Sequence, residues 1–112
     1  MKLVNMTPHE VNVTTTGKSY PPSGEVARVE QSLTLARVLE DGTELFTSSY
    51  GKSTGLPAWE DGTLLIVSAL VRLANPGRLD LLSPGKLVRD EKGRIVGCEG
   101  FEVNGTVVGG DR

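Results

Sequence analysis

Large rings are scarce in this chain. Trp59, Tyr20, Tyr50, Phe46 and Phe101 are its only Trp, Tyr and Phe residues, 4% of 112 positions. Apolar residues of all kinds reach only 38%, below the usual share of a globular domain. A core of stacked aromatics is excluded. Val, Leu, Ile and Ala must fill it, and each Val, Leu or Ile contributes about 1.5–3 kcal/mol when fully buried. So thin a core is expected to be supplemented by self-association, which makes the chain a homo-oligomer, a dimer or larger. Cys98 is the single cysteine, so no intrachain disulfide can form. Its thiol is expected to be a small buried group, with a reactive thiol as the other reading. His9 is the single histidine. One imidazole and one thiol cannot ligate zinc without further partners, and no metal or other cofactor is expected. No apolar run approaches the ~20 residues of a membrane helix. Residues 1–15 lack the apolar segment of a signal peptide, which leaves a cytoplasmic protein without membrane association as the expectation. Formal net charge is −2, with acidic and basic residues interspersed. The basic footprint of a duplex nucleic-acid binder is missing, whereas a small anion is not excluded. The glycines fit neither G-x-G-x-x-G nor the Walker pattern. Neither a G-x-S-x-G elbow nor an H-E-x-x-H pair is present. An enzyme therefore has no positive signature here.

What is there is turn chemistry between short apolar runs. The length suits one domain over residues 1–112. Lys2 to Val4 reads as a strand ended by Pro8. Glu10 to Thr15 alternates, with Val11 and Val13 on one face and Asn12 and Thr14 on the other. Pro21-Pro22-Ser23-Gly24 marks a turn before a strand over Val26 to Gln31. Leu33 to Leu39 and Glu44 to Thr47 flank Glu40-Asp41-Gly42-Thr43 as a hairpin. Gly51 to Pro57 reads as loop and Asp61-Gly62 as a tight turn. Thr63 to Ser68 is the most apolar run, and its lack of alternation predicts a central strand covered on both sides. Ser68 suits a helix N-cap for a short helix over Ala69 to Ala74, stopped by Asn75-Pro76-Gly77. Leu79 to Leu82 precedes a further Pro84-Gly85 turn. Leu87 to Arg89 and Arg94 to Cys98 form a hairpin through Asp90 to Gly93. A last hairpin pairs Phe101 to Val103 with Thr106 to Val108 through Asn104-Gly105, and Gly109 to Arg112 is expected to fray. The fold class is mainly β, of the α+β kind. About eight short strands and one short helix form a small mixed sheet or partly open barrel, with a sandwich as the alternative.

Three groups of residues could carry chemistry. Asn5, Thr7 and His9 surround Pro8 in one polar loop, which either satisfies itself or walls a binding site. A catalytic His9 needs an orienting carboxylate, and Glu10 faces the opposite side if a strand begins there. Arg72 and Arg78 match phosphate and carboxylate geometry. With Ser68 at the helix start and Asp80 in the loop beyond, they could hold the charged end of a phosphate-bearing molecule. The alternative is an Arg78–Asp80 pair that pins the loop, with Arg72 solvated. Tyr20, Tyr50 and Trp59 fall in predicted loops, where they either stack on a base or plug a core edge. Arg89, Asp90 and Arg94 fit a solvated charged turn.

The line Asn5-Met6-Thr7-Pro8-His9, Pro22-Ser23-Gly24-Glu25-Val26-Ala27-Arg28-Val29, Gly55-Leu56-Pro57, Gly62 to Val71, Arg78 to Gly85 and Val88-Arg89-Asp90 resembles a short family found in phages, prophages and bacteria. The Thr-Pro-His and Pro-Ser-Gly elements carry most of the likeness, and Met6 stands where Leu is expected. The resemblance brings no catalytic residue with it. Its setting is similar to that of phage anti-defence proteins that sequester nucleotide immune signals. On that basis the expected function is non-enzymatic binding of a small phosphate-bearing nucleotide-type ligand. The ligand-binding residues would be Asn5, Thr7, His9, Ser68, Arg72, Arg78 and Asp80, and the location the host cytoplasm if the chain is phage-encoded. Hydrolysis of such a ligand through His9 is the runner-up. Docking on a partner protein through exposed strand edges is the third reading.

Overall fold

A computed structural model describes residues 1–105. The Thr106–Val108 arm of the last expected hairpin and the expected frayed end lie outside them. The elements are β1 (Lys2–Asn5), β2 (Val11–Val13), β3 (Lys18–Tyr20), β4 (Arg28–Val38), β5 (Glu44–Thr54), β6 (Thr63–Ile66), α1 (Ala69–Ala74), β7 (Leu81–Arg89) and β8 (Ile95–Val103). Six strands form one mixed sheet in the order β1-β6-β7-β8-β2-β3, and β4 and β5 form a separate hairpin. The mainly β class and the partly open barrel are both seen. The two edge strands come together: the Asn5 amide donates to the Tyr20 carbonyl at 2.7 Å, and the Ser23 N–H donates to the Asn5 carbonyl at 2.9 Å.

The apolar run at Thr63 forms the centre of the core. β6 is parallel to both β1 and β7, and the β6–α1–β7 crossover supplies the helix that such pairing needs. Successive side chains of a strand point to opposite faces. Leu65 and Leu81 accordingly join Met6, Ala27, Val67 and Val71 in one cluster on the helix side. Ile66 and Leu82 join Val11, Val13 and Cys98 in a second cluster on the other face of the sheet. Both faces of β6 are thus covered, which is why its apolar residues run on without alternating.

Several local expectations need correction, and the separate strands expected at Arg94–Cys98 and Phe101–Val103 are one, β8. Lys18–Tyr20, unassigned from sequence, is a strand antiparallel to β2. The strands expected at Val26–Gln31 and Leu33–Leu39 are one continuous strand, β4. Gly51 to Thr54 is not loop but the end of β5, with Ser53 paired to Val29 and Thr54 to Arg28. The loop starts at Gly55, whose φ of +83° and closeness to the Val26 carbonyl (2.6 Å from a would-be Cβ) admit only glycine. Pro84-Gly85 does not turn: β7 runs straight through, with Pro84 opposite Phe101 and Gly85 opposite Gly100. β6 ends at Ile66, so among the described residues β7 is paired on one side only by that point, and an edge tolerates a residue without an N–H.

Candidate functional site

The Thr-Pro-His loop is organised by Asn5, which is 3% exposed. Its Oδ1 accepts from the Thr7 N–H at 2.9 Å and from the Thr7 hydroxyl at 2.7 Å. Its Nδ2 donates to the carbonyls of His9 (2.8 Å) and Tyr20. The Asn5 side chain is therefore fully engaged and holds the loop from beneath. His9 gives the loop only its backbone carbonyl, and the residue is exposed.

Beside this loop lies a cavity of about 420 Å3. Its rim is polar, with Thr7, His9, Glu10, Asn12 and Ser68. Its wall is apolar, with Val67, Pro84, Leu87, Ile95 and Val96. The volume lies within the range of small-molecule pockets, and an apolar wall with a few polar groups is their usual lining. Gly97 shapes one side, since a Cβ there would meet the Asn12 carbonyl at 2.9 Å. Cys98 lies at the back of the cavity and is 1% exposed. Burial pushes its thiol above the usual range, the opposite of what a nucleophilic cysteine needs. β2 begins at Val11, so Glu10 precedes the strand and joins His9 on the rim. The condition under which Glu10 would face away from His9, a strand starting at Glu10, is therefore not met.

Ser68 caps α1 as its sequence position predicts: its hydroxyl accepts from the Val71 N–H at 3.3 Å. It also borders the cavity. The arginines and Asp80 are elsewhere. Arg72 is 8% exposed rather than solvated. Its Nε donates to the Ser83 hydroxyl at 2.7 Å, one Nη to Asn104 Oδ1 at 3.3 Å, and the other to Glu102 at 3.2 Å. Arg78 makes a two-point pair with the buried Asp80, at 2.9 and 2.8 Å, and also donates to the Pro57 carbonyl at 2.9 Å. The side-chain bond to Asp80 raises the Arg78 pKa further. The structure thus brings Thr7, His9 and Ser68 to one hollow, with Asn5 as their support. Arg72, Arg78 and Asp80 do not line it, because each is engaged in holding the α1–β7 connection.

Sequence reasoning missed the cavity wall. Leu87, Ile95 and Val96 read as ordinary hairpin residues, yet they are 48%, 55% and 47% exposed. It also placed Tyr20 and Tyr50 in loops. Both are in strands, with Tyr20 edge-on to Phe101 at 6.3 Å between centroids. Trp59, in the loop before β6, is 51% exposed. Among the described residues no helix is long and apolar enough to cross a membrane. Fold and cavity together define a mainly β protein with a part-apolar hollow beside its N-terminal loop. Comparison with protein-family models, curated proteins and solved structures finds no match to this chain.

Proposed function

We propose that this protein binds a small molecule in the cavity beside the Thr-Pro-His loop and holds it unchanged. The observation that carries this reading is the lining: an apolar wall of Leu87, Ile95 and Val96 faces a rim where the His9 imidazole is free of loop hydrogen bonds. Such a hollow suits a ligand with a flat or apolar body and one polar end. A nucleotide-type ligand meets that description. Its base would lie on the apolar wall and its phosphate end at His9 and Thr7. With Arg72 and Arg78 engaged, His9 is the only basic side chain lining the cavity among the described residues, so a ligand with one phosphate group suits it better than one with several. The resemblance to phage proteins adds a setting in which the ligand is a host signal and is sequestered.

Isothermal titration against a panel of mononucleotides and cyclic nucleotides tests this. One member is expected to give heat, and His9→Ala to weaken it about tenfold, roughly 1.4 kcal/mol. Silence across the panel would contradict the nucleotide reading. A second reading has one observation in its favour, the placement of Glu10 beside His9 on the same rim. If that pair works as acid and base, the same panel shows turnover, and either His9→Ala or Glu10→Gln abolishes it.

A further inference from the structure

The β4–β5 hairpin has two unlike faces. Directly paired residues share a face, and the register places Leu35 opposite Phe46, Leu33 opposite Ser48, Gln31 opposite Tyr50 and Val29 opposite Ser53. That face carries Val29, Leu33, Leu35, Phe46 and Tyr50. A register shift at Ala36 brings Val38, opposite Glu44, onto it as well. The other face carries Ser32, Thr34, Thr47 and Ser49, with Leu45 its single large apolar residue. At its base the apolar face meets the body: Val29 packs on the helix-side core cluster, and Asn75 of the α1 cap donates to Ser53 at 2.8 Å. Farther out it is bare among the described residues. Leu33 is 60%, Leu35 50%, Val38 52%, Phe46 50% and Tyr50 44% exposed. Side chains of this size leave roughly 500 Å2 of apolar surface uncovered, at the upper end for a monomer.

We infer that the outer, uncovered part of this face is the contact between two copies of the chain. Two observations select a second copy. A two-stranded hairpin is marginal by itself in water, yet this one is eleven residues long on each side and only its base is packed. The uncovered part of the face, from Gln31 to Val38, is about 26 Å long at 3.3 Å per residue. With its polar neighbours it approaches the roughly 800 Å2 per partner of a stable interface. Edge-to-edge pairing would leave the apolar face bare. The inference is independent of what the cavity holds.

Light scattering on the eluting full-length protein tests it. The expected mass is twice 11.9 kDa, or an even multiple of it. Leu35→Glu is expected to give the single-chain mass with an unchanged circular dichroism spectrum, and Leu45→Glu, on the polar face, to leave the assembly intact. Ser48→Cys, in the middle of the apolar face, is expected to form a disulfide-linked dimer on mild oxidation, and Ser49→Cys on the other face is not. A single-chain wild type overturns the inference, whether or not it takes up lipid or another protein. So does an assembly indifferent to Leu35→Glu, or a Ser48→Cys chain that does not cross-link.

Discussion

Arg72 ties the helix to the sheet. Its guanidinium reaches Ser83 on β7, and both Asn104 and Glu102 at the end of β8. Asn104 returns the contact, its amide nitrogen lying 3.1, 2.9 and 3.0 Å from the carbonyls of Arg72, Asn75 and Arg78. The last carbonyls of a helix have no partner within it, and this amide supplies one from a distant strand. Arg72→Met keeps the aliphatic stem but leaves Ser83, which is 0% exposed, and Asn104 without their donor. An unsatisfied buried polar group costs about 1–3 kcal/mol. Urea unfolding is expected to show a loss of about 2–4 kcal/mol, and adding Ser83→Ala to recover part of it. An unchanged midpoint for Arg72→Met would contradict the network. None of this was legible in the sequence. Arg72 is separated from Glu102 and Asn104 by some thirty residues, and only the fold brings them together. The local pair was legible, since Arg78 and Asp80 are two residues apart on one turn. Asn104-Gly105 carries a strong hairpin signal, but nothing in the sequence shows that the Asn side chain serves the helix.

At the scale of elements, short-range rules worked where turn chemistry and strand ends coincide. The Asp90–Gly93 turn between β7 and β8 is one such place. Asp90 accepts from the backbone N–H groups of Arg94 and Lys92, both at 2.9 Å, and pairs with the Arg94 guanidinium at 3.0 Å. The backbone bond from Arg94, and then that from Lys92, hold its carboxyl below the usual range. A carboxylate depressed in the folded state adds stability above its unfolded pKa of about 3.9 and loses it as the pH falls through the folded value. The amide resonances of Lys92 and Arg94 are therefore expected to be unperturbed at neutral pH and to move together below about pH 4. Asp90→Asn should abolish that transition, and its persistence in the variant would assign it to another group. The α1 boundaries were likewise readable, from the Ser68 cap and the Asn75-Pro76-Gly77 stop. Turn rules failed where pairing overrode composition. Gly51 to Thr54 has loop residues but a long partner in β4. Pro84-Gly85 has turn residues but lies in β7 opposite Phe101 and Gly100, where no described strand pairs on its other side.

At the scale of the whole molecule, the radius of gyration is 16.7 Å, against about 13 Å for a compact chain of this length. The β4–β5 hairpin accounts for the excess in kind, since its outer part packs on nothing among the described residues. The low apolar fraction was plain in the composition, but the uncovered apolar face of this hairpin was not. Composition could not say which face, as that depends on the bulge at Ala36 and the register beyond it. The hollow beside the Thr-Pro-His loop was half visible. The polar loop stands out in the sequence, but its apolar wall comes from the start of β8 and the middle of β7, some eighty residues away. The arginines drew attention for sound chemical reasons and proved to be engaged inside the fold. The most direct test of the cavity as the ligand site is a two-dimensional amide NMR titration of the full chain with the same nucleotide panel. Shifts confined to Thr7, His9, Glu10, Ser68 and Ile95 to Gly97 are the expected result. Shifts centred on Arg72 and Arg78, or none with any compound, would contradict it.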